Sequence, residues 1–303
     1  MAGEKTTIGV IGAALDLGSG RRGVDMGPSA IRYGGLSEAL DRLGHPMTDR
    51  GNVLAPTVER LDQGDPSARY WDAIKRTCEE LAQEVTEIVG EGGFPLVLGG
   101  DHSIAIGTLA GLARAHGAPG GVIWIDAHTD INTPVSSPTG NVHGMPLAVS
   151  LGLVDDPRFS SDVWPAPPIT AERTVLVGIR SVDDGERELV RRAGLTVYTM
   201  ADIDRLGMPR VVDEAVARAS GGAFLHVSFD MDALDPEYAP GVGTPVPGGI
   251  TFREAHLAME MLHVAGVMQS LELVEVNPIL DEHNSTGNLA VDLARSALGA
   301  RIL

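Results

Sequence analysis

The segment GVIWIDAHTD, residues 121–130, joins an apolar run to three potential metal ligands. Its first part, 121–125, has the length and composition of a buried strand. Asp126, His128 and Asp130 follow at alternate positions. If the backbone stays extended there, the two-residue period of a strand points all three side chains to the same side. The segment therefore predicts a strand that ends in a metal site.

Other apolar runs end in residues of the same kind. The runs and the residues that follow them are 96–98 with His102, 224–229 with Asp230 and Asp232, and 271–274 with Glu275. Loops that merely carry surface charge have no reason to place such residues only after strands. In open α/β sheets, ligands bind outside the carboxyl ends of the strands, so these side chains are expected to share one site.

Strand patterns alternate with helical patterns along the whole chain. Strands are predicted near 6–12, 48–53, 96–98, 121–125, 174–178, 196–198, 224–229 and 269–275. Helices are predicted near 28–43, 70–89, 103–116, 209–219, 253–265 and 284–298, and the proline-rich tract 155–168 is expected to be irregular. This alternation predicts a three-layer α/β/α fold with a mainly parallel sheet. Because no linker divides the chain, residues 1–303 are expected to form a single domain.

Composition excludes several classes of protein. With 43% hydrophobic and 21% charged residues, the chain is typical of globular proteins. A net charge of −18 argues against nucleic acid or an anionic membrane as partner. A cationic small substrate would suit this charge, although acidity also serves solubility. No apolar run reaches membrane-spanning length and no secretory signal begins the chain, which predicts a cytoplasmic protein. Cys78, the only cysteine, is expected to be a buried hydrophobe rather than a catalytic thiol.

Two nucleotide- or calcium-type motifs are rejected. Gly18, Gly20 and Gly23 have the G-x-G-x-x-G spacing, but they are not contiguous with a strand and a helix as a dinucleotide site requires. An EF-hand reading of 126–130 fails because His128 replaces an oxygen ligand and the required glycine and closing glutamate are missing. His226 lies inside a predicted strand and is expected to be a hydrogen-bonded core histidine.

The candidate metal ligands combine two imidazoles with four carboxylates: His102, Asp126, His128, Asp130, Asp230 and Asp232. Without cysteine, such an oxygen-rich set favours Mn²⁺ or Mg²⁺ over a structural zinc, and Mn²⁺ is the predicted metal. Six ligands exceed the needs of one catalytic ion but suit two ions bridged by carboxylates. Metal coordination lowers the pKa of bound water, so the predicted chemistry is metal-assisted hydrolysis.

At these residues the chain resembles the arginase (ureohydrolase) family. The resemblance lies in 99–103 (GGDHS), 126–134 (DAHTDINTP) and 228–236 (SFDMDALDP), in this order. The segments 21–28, 240–245 and 275–281 are most similar to bacterial arginases. The likeness spans nearly the whole chain, and it implies the arginase-like α/β/α fold.

The resemblance implies two Mn²⁺ ions, one held by His102, Asp126, Asp130 and Asp230, the other by Asp126, His128, Asp230 and Asp232. It also implies that a hydroxide bridging the ions attacks the guanidinium carbon of L-arginine, giving L-ornithine and urea. Glu275 would orient the guanidinium group and His143 would shuttle protons. Asp130 is counted with these two as a catalytic residue.

Specificity is implied by the same resemblance. Asn132, Thr139 and Asn141 match a polar loop that reads the α-carboxylate of arginine, and Asp183 matches an acid that faces the α-amino group. Glu186 and Thr244 are expected at the same substrate site. The chain departs from the family by having Thr139 where many relatives have Ser, which keeps the hydroxyl group, and Ser181 where some have Asp, which leaves the substrate affinity open.

Two other functions remain open from the sequence. One is an agmatinase or another hydrolase of guanidino substrates, and the other is a non-catalytic metal-binding protein with the same fold. The resemblance to bacterial arginases implies a homo-oligomer, a hexamer with a trimer as the alternative. The metal loaded in the cell, the kinetic constants and the metabolic role do not follow from the sequence.

Overall fold

A computed structural model describes residues 5–301 of the protein. Eight strands form a single sheet. In chain order they are β1 Ile8–Ala13, β2 Met47–Val53, β3 Phe94–Gly99, β4 Gly120–Ile125, β5 Ile169–Ile179, β6 Thr196–Thr199, β7 Leu225–Asp230 and β8 Ser270–Val274. Their order across the sheet is β2-β1-β3-β8-β7-β4-β5-β6, and every pairing between these strands is parallel. The predicted parallel α/β sheet is confirmed.

Ten α-helices lie between or after the strands of the described chain. They are α1 Gly27–Tyr33, α2 Leu36–Arg42, α3 Trp71–Gly90, α4 Ala105–His116, α5 Pro146–Ser150, α6 Asp184–Ala193, α7 Met200–Leu206, α8 Met208–Ala219, α9 Phe252–Ala265 and α10 Ser285–Ala297. Within residues 5–301, none of these helices combines the length and the apolar character that a bilayer crossing requires.

The helix predicted over 28–43 is wrong as one element. It is divided into α1 and α2, because Gly35 has a φ of 88°, a left-handed conformation that cannot continue a right-handed helix. The sequence also missed α6, although its start carries a readable signal. Asp183 accepts from the backbone N–H of Glu186 while the Glu186 side chain accepts from the N–H of Asp183, which is a capping box.

Two apolar layers cover the two faces of the sheet. On one face, Val10, Ile123 and Val227 belong to a cluster that includes residues of α1, α2, α8, α9 and α10. On the other face, Val97 and Trp124 pack in a cluster with residues of α3, α4 and α5. Alternate residues of each central strand thus enter opposite layers, as the strand period requires. The three-layer architecture predicted from the sequence is confirmed.

The strand order determines where the polar residues meet. β3, β8, β7 and β4 are consecutive neighbours in the sheet, and all run in the same direction. His102, Glu275, Asp230 and Asp126 lie at or just beyond the carboxyl ends of these four strands. Four segments distant in the chain therefore deliver their side chains to one edge.

Candidate metal centre

The segment after β4 does not stay extended, so that part of the sequence interpretation is wrong. β4 ends at Ile125, and Asp130 has a φ of 48°, in the left-handed region. The backbone N–H of His128 donates to Asp126 Oδ1 over 2.7 Å, which closes a local turn. Asp126, His128 and Asp130 nevertheless face a common site, because the bend and the neighbouring strands bring them there.

His102 lies at the centre of the first group of candidate ligands. It begins a short 3₁₀ turn, His102–Ile104, directly after β3. Its Nδ1 is 3.2 Å from Asp126 Oδ2 and 3.1 Å from an oxygen of both Asp130 and Asp230. None of these approaches has the geometry of a hydrogen bond, although His102 is fully buried. A buried ring nitrogen that faces three carboxylates without a hydrogen bond is expected where a cation binds.

A second group overlaps the first. His128 Nδ1 lies 3.1 Å from Asp232 Oδ2 and 3.5 Å from Asp126 Oδ1. Asp126 belongs to both groups, one with His102 and Asp230 and the other with His128 and Asp232. Its two oxygens face different histidines, which is the arrangement of a bridging carboxylate. Asp230 belongs only to the first group, where its Oδ2 lies 3.1 Å from His102 Nδ1.

The buried carboxylates of the site favour nearby positive charge. Burial and the neighbouring Asp126 raise the pKa of Asp130 to about 7. Burial alone lowers the pKa of His128, but the charge of Asp232 and the contact with Asp126 raise it to about 12. No Lys or Arg within residues 5–301 forms an ion pair with these carboxylates. Two divalent cations would fit this donor set, since they would balance four carboxylates and bind both imidazoles.

Glu275 and His143 lie beside the first group. Glu275 has a φ of 65°, and its Oε1 accepts from the backbone N–H of His102 over 3.0 Å. The same oxygen is 3.0 Å from His143 Nδ1. Glu275 Oε2 is buried and has no hydrogen-bond partner. One oxygen of Glu275 therefore organises the site and the other remains available to a ligand.

A cleft with a volume of about 200 Å³ opens above these groups. It is lined by candidate ligands, by His143 and by the six residues expected to bind substrate, namely Asn132, Thr139, Asn141, Asp183, Glu186 and Thr244. The candidate ligands that line it are His128, Asp130, Asp230 and Asp232. His102 and Asp126 lie below the surface of the cleft and are fully buried.

Hydrogen bonds fix most side chains of the cleft wall. Asn132 Nδ2 donates to Asp183 Oδ2 over 2.8 Å, and Thr244 Oγ1 donates to Asp232 Oδ2 over 2.9 Å. Both oxygens of Glu186 accept bonds from the protein, one from the Thr129 hydroxyl and one from the Asp183 backbone. Glu186 is thus held within the wall, whereas Thr139 and Asn141 keep donors free for a ligand, since the Thr139 oxygen only accepts from the backbone N–H of Asn141.

Comparison with known proteins accounts for this combination of fold and cleft. The model of the family described as "Arginase family" matches residues 6–299. The chain belongs to the arginase family. It is 52% identical to the arginase of Bacillus caldovelox over 98% of this chain and 99% of that protein, and 52% identical to the arginase of Bacillus subtilis with the same coverage.

Solved structures agree with the sequence relatives of this arginase-family member. The Bacillus caldovelox arginase structure superimposes with a TM-score of 0.94 at 51% identity, covering 99% of this chain and 100% of that one. The Entamoeba histolytica arginase, solved in complex with L-ornithine, gives a TM-score of 0.90 at 30% identity over 98% of this chain and 100% of that chain. The arginase-family chain is therefore a hydrolase with the fold predicted from its sequence.

Sequence reasoning missed residues that support the site in this arginase-family chain. Trp124 Nε1 donates to Asp126 Oδ2 over 2.9 Å, and its ring stacks on His102 with 4.0 Å between centroids. Ser228 contacts the ring edge of His102, with 2.7 Å between Ser228 Oγ and His102 Nε2. A readable signal existed, because Trp124 and Ser228 occupy alternate strand positions two residues before Asp126 and Asp230 and so share their face.

Proposed function

We propose that this protein is a dimanganese arginase that hydrolyses L-arginine to L-ornithine and urea. The observation that carries the proposal is the composition of one cleft. Its base holds two overlapping groups of imidazoles and carboxylates, and its wall holds free donors and two acids, Asp183 and Glu186. A guanidinium group would reach the base while an amino-acid end group met the wall. The names of its relatives support the same activity.

The two overlapping groups contain most of the residues that would hold the metals, and the resemblance to arginases adds Asp230 to the second set. His102, Asp126, Asp130 and Asp230 would bind one ion, and Asp126, His128, Asp230 and Asp232 would bind the other. When bound, two such ions make a water molecule acidic enough to supply hydroxide for attack on a guanidinium carbon near neutral pH. Oxygen and imidazole donors without thiolate favour Mn²⁺.

Glu275 and His143 would handle the guanidinium group and the protons. The free Glu275 Oε2 would accept from guanidinium N–H groups and orient the carbon, as charge-assisted hydrogen bonds do. His143 Nδ1–H would donate to Glu275 Oε1, which leaves Nε2 to exchange protons with the leaving amine. Both groups lie beside the candidate ligands, so neither needs to move far.

The wall would recognise the amino-acid end of arginine. The Thr139 hydroxyl and the Asn141 amide would donate to the α-carboxylate, and Asp183 would accept from the α-ammonium group. Asn132 would act mainly by holding Asp183, to which it donates. Glu186 would act in the same way, since it is buried behind the half-buried Asp183 and accepts from the Asp183 backbone N–H. Thr244 would orient the ligand Asp232.

A substrate and metal panel tests the proposal. Protein stripped by a chelator is reloaded with Mn²⁺, Mg²⁺ or Zn²⁺, and metal content is measured alongside urea release. We expect Mn²⁺ to restore the highest turnover of L-arginine, with much lower turnover of agmatine and 4-guanidinobutyrate. Full Mn²⁺ occupancy without ornithine formation would overturn the proposal, and faster turnover of agmatine would make the protein an agmatinase.

Asp130→Ala tests the ligand assignment. We expect this variant to lose metal occupancy and activity together, because a carboxylate beside His102 is removed from a buried site. Asp184→Ala is the matched control, since the Asp184 side chain is 98% exposed and close in sequence to the cleft wall. Retention of both metal ions and full activity in Asp130→Ala would contradict the assignment.

We also propose that residues 1–303 act as one catalytic unit within a hexamer, with a trimer as the alternative. Light scattering of the purified protein measures the assembly, and a monomer at assay concentration would contradict it. The cytoplasmic location expected from the sequence stays a prediction.

A further inference from the structure

A row of polar side chains crosses the apolar layer beneath the candidate metal centre. β7 and β8 pair in register, with His226 opposite Ser270 and Ser228 opposite Glu272. All four residues are fully buried. They lie on the sheet face that packs against α3 and α4, where the surrounding side chains are apolar. Buried polar groups in such a layer need a reason, because each costs free energy unless it is hydrogen-bonded.

The row ends at a candidate metal ligand. Glu272 Oε1 is 2.7 Å from Ser228 Oγ, and Ser228 Oγ is 2.7 Å from Nε2 of His102. His102 Nδ1 is on the opposite side of the ring, facing the carboxylates of the first metal group. Glu272 is thus connected to the metal side of His102 through one hydroxyl group.

Glu272 fixes the direction of the hydrogen bonds in this row. An ionised carboxylate only accepts, so the Ser228 hydroxyl must donate to it. The Ser228 oxygen then has only lone pairs for His102, and Nε2 of His102 must carry the hydrogen. In that tautomer Nδ1 has no hydrogen and presents its lone pair to the site. The direction of each bond follows from the charge of Glu272.

His226 is the partner that allows Glu272 to remain ionised. Its Nε2 is 3.3 Å from Glu272 Oε1, and its Nδ1 is 2.8 Å from the Ser270 hydroxyl oxygen. Within residues 5–301 it is the only ion-pair partner of Glu272. Burial by itself raises the pKa of Glu272, but the charge of the nearby His226 holds it below its usual value. His226 is therefore a hydrogen-bonded core histidine, as the sequence predicts, and it also balances a buried charge.

We infer that Glu272, balanced by His226, is a positioning residue that prepares His102 for metal binding by fixing its tautomer through Ser228. The inference rests on the proposed function, since it assumes that His102 binds a metal ion. Without Glu272, the Ser228 hydroxyl can turn and donate to Nε2, and the ring hydrogen moves to Nδ1. There it faces three carboxylates and competes with the cation. Groups that hydrogen-bond the second ring nitrogen of a metal-binding histidine are known to change metal affinity by fixing its tautomer.

Mn²⁺ affinity of the metal-free protein tests the inference. We measure it by competition with a fluorescent chelator at one pH for the wild type, Glu272→Gln, Ser228→Ala and the double variant, with circular dichroism to verify folding. We expect each single variant to lose roughly 10- to 100-fold in affinity for at least one ion. The double variant should bind no more weakly than Ser228→Ala, because Glu272 acts through that hydroxyl. Ser228→Thr keeps the hydroxyl and should retain the wild-type affinity.

The controls separate positioning from general damage to the core. Ser150→Ala removes another buried hydroxyl, outside the row, and should leave affinity unchanged. If Glu272→Gln does not fold, His226→Gln combined with Glu272→Gln removes both members of the pair and should show the same loss. Wild-type Mn²⁺ affinity in a folded Glu272 variant would overturn this inference and leave the proposed function standing. The same holds if the affinity losses of the two single variants add in the double variant. A wild-type protein that binds no divalent cation would overturn the proposed function as well.

Discussion

The negative charge of Asp183 in the cleft wall predicts a preference for substrates that carry an α-ammonium group. We expect Asp183→Asn to lower kcat/KM for L-arginine by roughly 10- to 100-fold, because the α-ammonium group loses a charge-assisted hydrogen bond. Hydrolysis of 4-guanidinobutyrate, which lacks that ammonium group, should change little. Steady-state kinetics with both substrates measure the difference, and Asp184→Asn at an exposed position is the control. An equal loss for both substrates would contradict the assigned contact.

His143 predicts a pH dependence of stability in the metal-free protein. Burial alone lowers its pKa, but the hydrogen bond and charge of Glu275 raise it to about 9 from a usual value of about 6.5. A raised pKa means that the folded state binds the proton more tightly. The contribution to the free energy of unfolding is therefore fully present below about pH 6.5 and is lost as the pH rises to about 9.

Urea denaturation of the wild type and His143→Asn across this range measures the effect. The difference in unfolding free energy should be largest near pH 6 and should shrink by up to about 3 kcal/mol towards pH 9.5. Glu275→Gln should remove most of this pH dependence, because Glu275 raises the pKa of His143 more than Asp130 and Asp101 do. A difference that stays constant from pH 6 to pH 9.5 would show that the pair is not charged in the folded state.

The residues of the site could be predicted from the sequence, but the hydrogen bonds between them could not. His102, Asp126 and Asp230 could be placed together because each follows a strand. The bond from the His102 backbone to Glu275 could not be predicted, since the two residues are 173 positions apart and their contact depends on which strands are neighbours. The role of Glu186 shows the same limit, because its two hydrogen bonds within the wall become visible only in the folded chain.

At the scale of elements, the turn after β3 determines where His102 lies. Gly100 approaches Leu15 so closely that an added Cβ would be 1.9 Å from the Leu15 carbonyl oxygen. We expect Gly100→Ala to lower the free energy of unfolding by at least about 1–3 kcal/mol and to weaken Mn²⁺ binding, because the backbone must shift next to a ligand. Thermal unfolding and metal content measure the two effects.

Gly90→Ala is the matched control for that change. Gly90 is the last residue of α3, and an added Cβ would meet no atom within 4 Å. Its stability should therefore equal or slightly exceed that of the wild type, since alanine favours helices. Similar losses in both variants would show that the close approach of Gly100 to Leu15 does not control the position of His102.

Elements were predictable where hydrophobic period and end signals agree. The pattern for α3 predicted 70–89, and the helix is Trp71–Gly90. The prediction failed where backbone conformation, rather than period, decides the outcome. Gly35 divides one periodic segment into two helices, and the positive φ of Asp130 bends a segment whose alternating ligands look like a continued strand. Such conformations depend on tertiary contacts that the sequence pattern does not contain.

For the whole molecule, alternation of strands and helices predicted a parallel sheet but not the order of its strands. The order β3-β8-β7-β4 brings together strands from the middle and the end of the chain. This order places the carboxyl end of β8, with Glu275, between those that carry His102 and Asp230. The site is therefore a property of the topology, and sequence proximity explains only the segment 126–130 and the pair Asp230 and Asp232.

The same topology predicts that metal binding and global stability are coupled. Four carboxylates from β4, β7 and their loops are held together in a largely buried site, and their mutual repulsion opposes folding until cations bind. Mn²⁺ at 100 times its dissociation constant should add about 2.7 kcal/mol per site, enough to raise Tm by at least several degrees. Differential scanning calorimetry with Mn²⁺ and with excess chelator measures the shift. Asp126→Asn should remove most of the Tm shift, because Asp126 contacts both histidines. Nonspecific binding of Mn²⁺ to a chain of net charge −18 would instead shift the Tm of the wild type and of the variant equally.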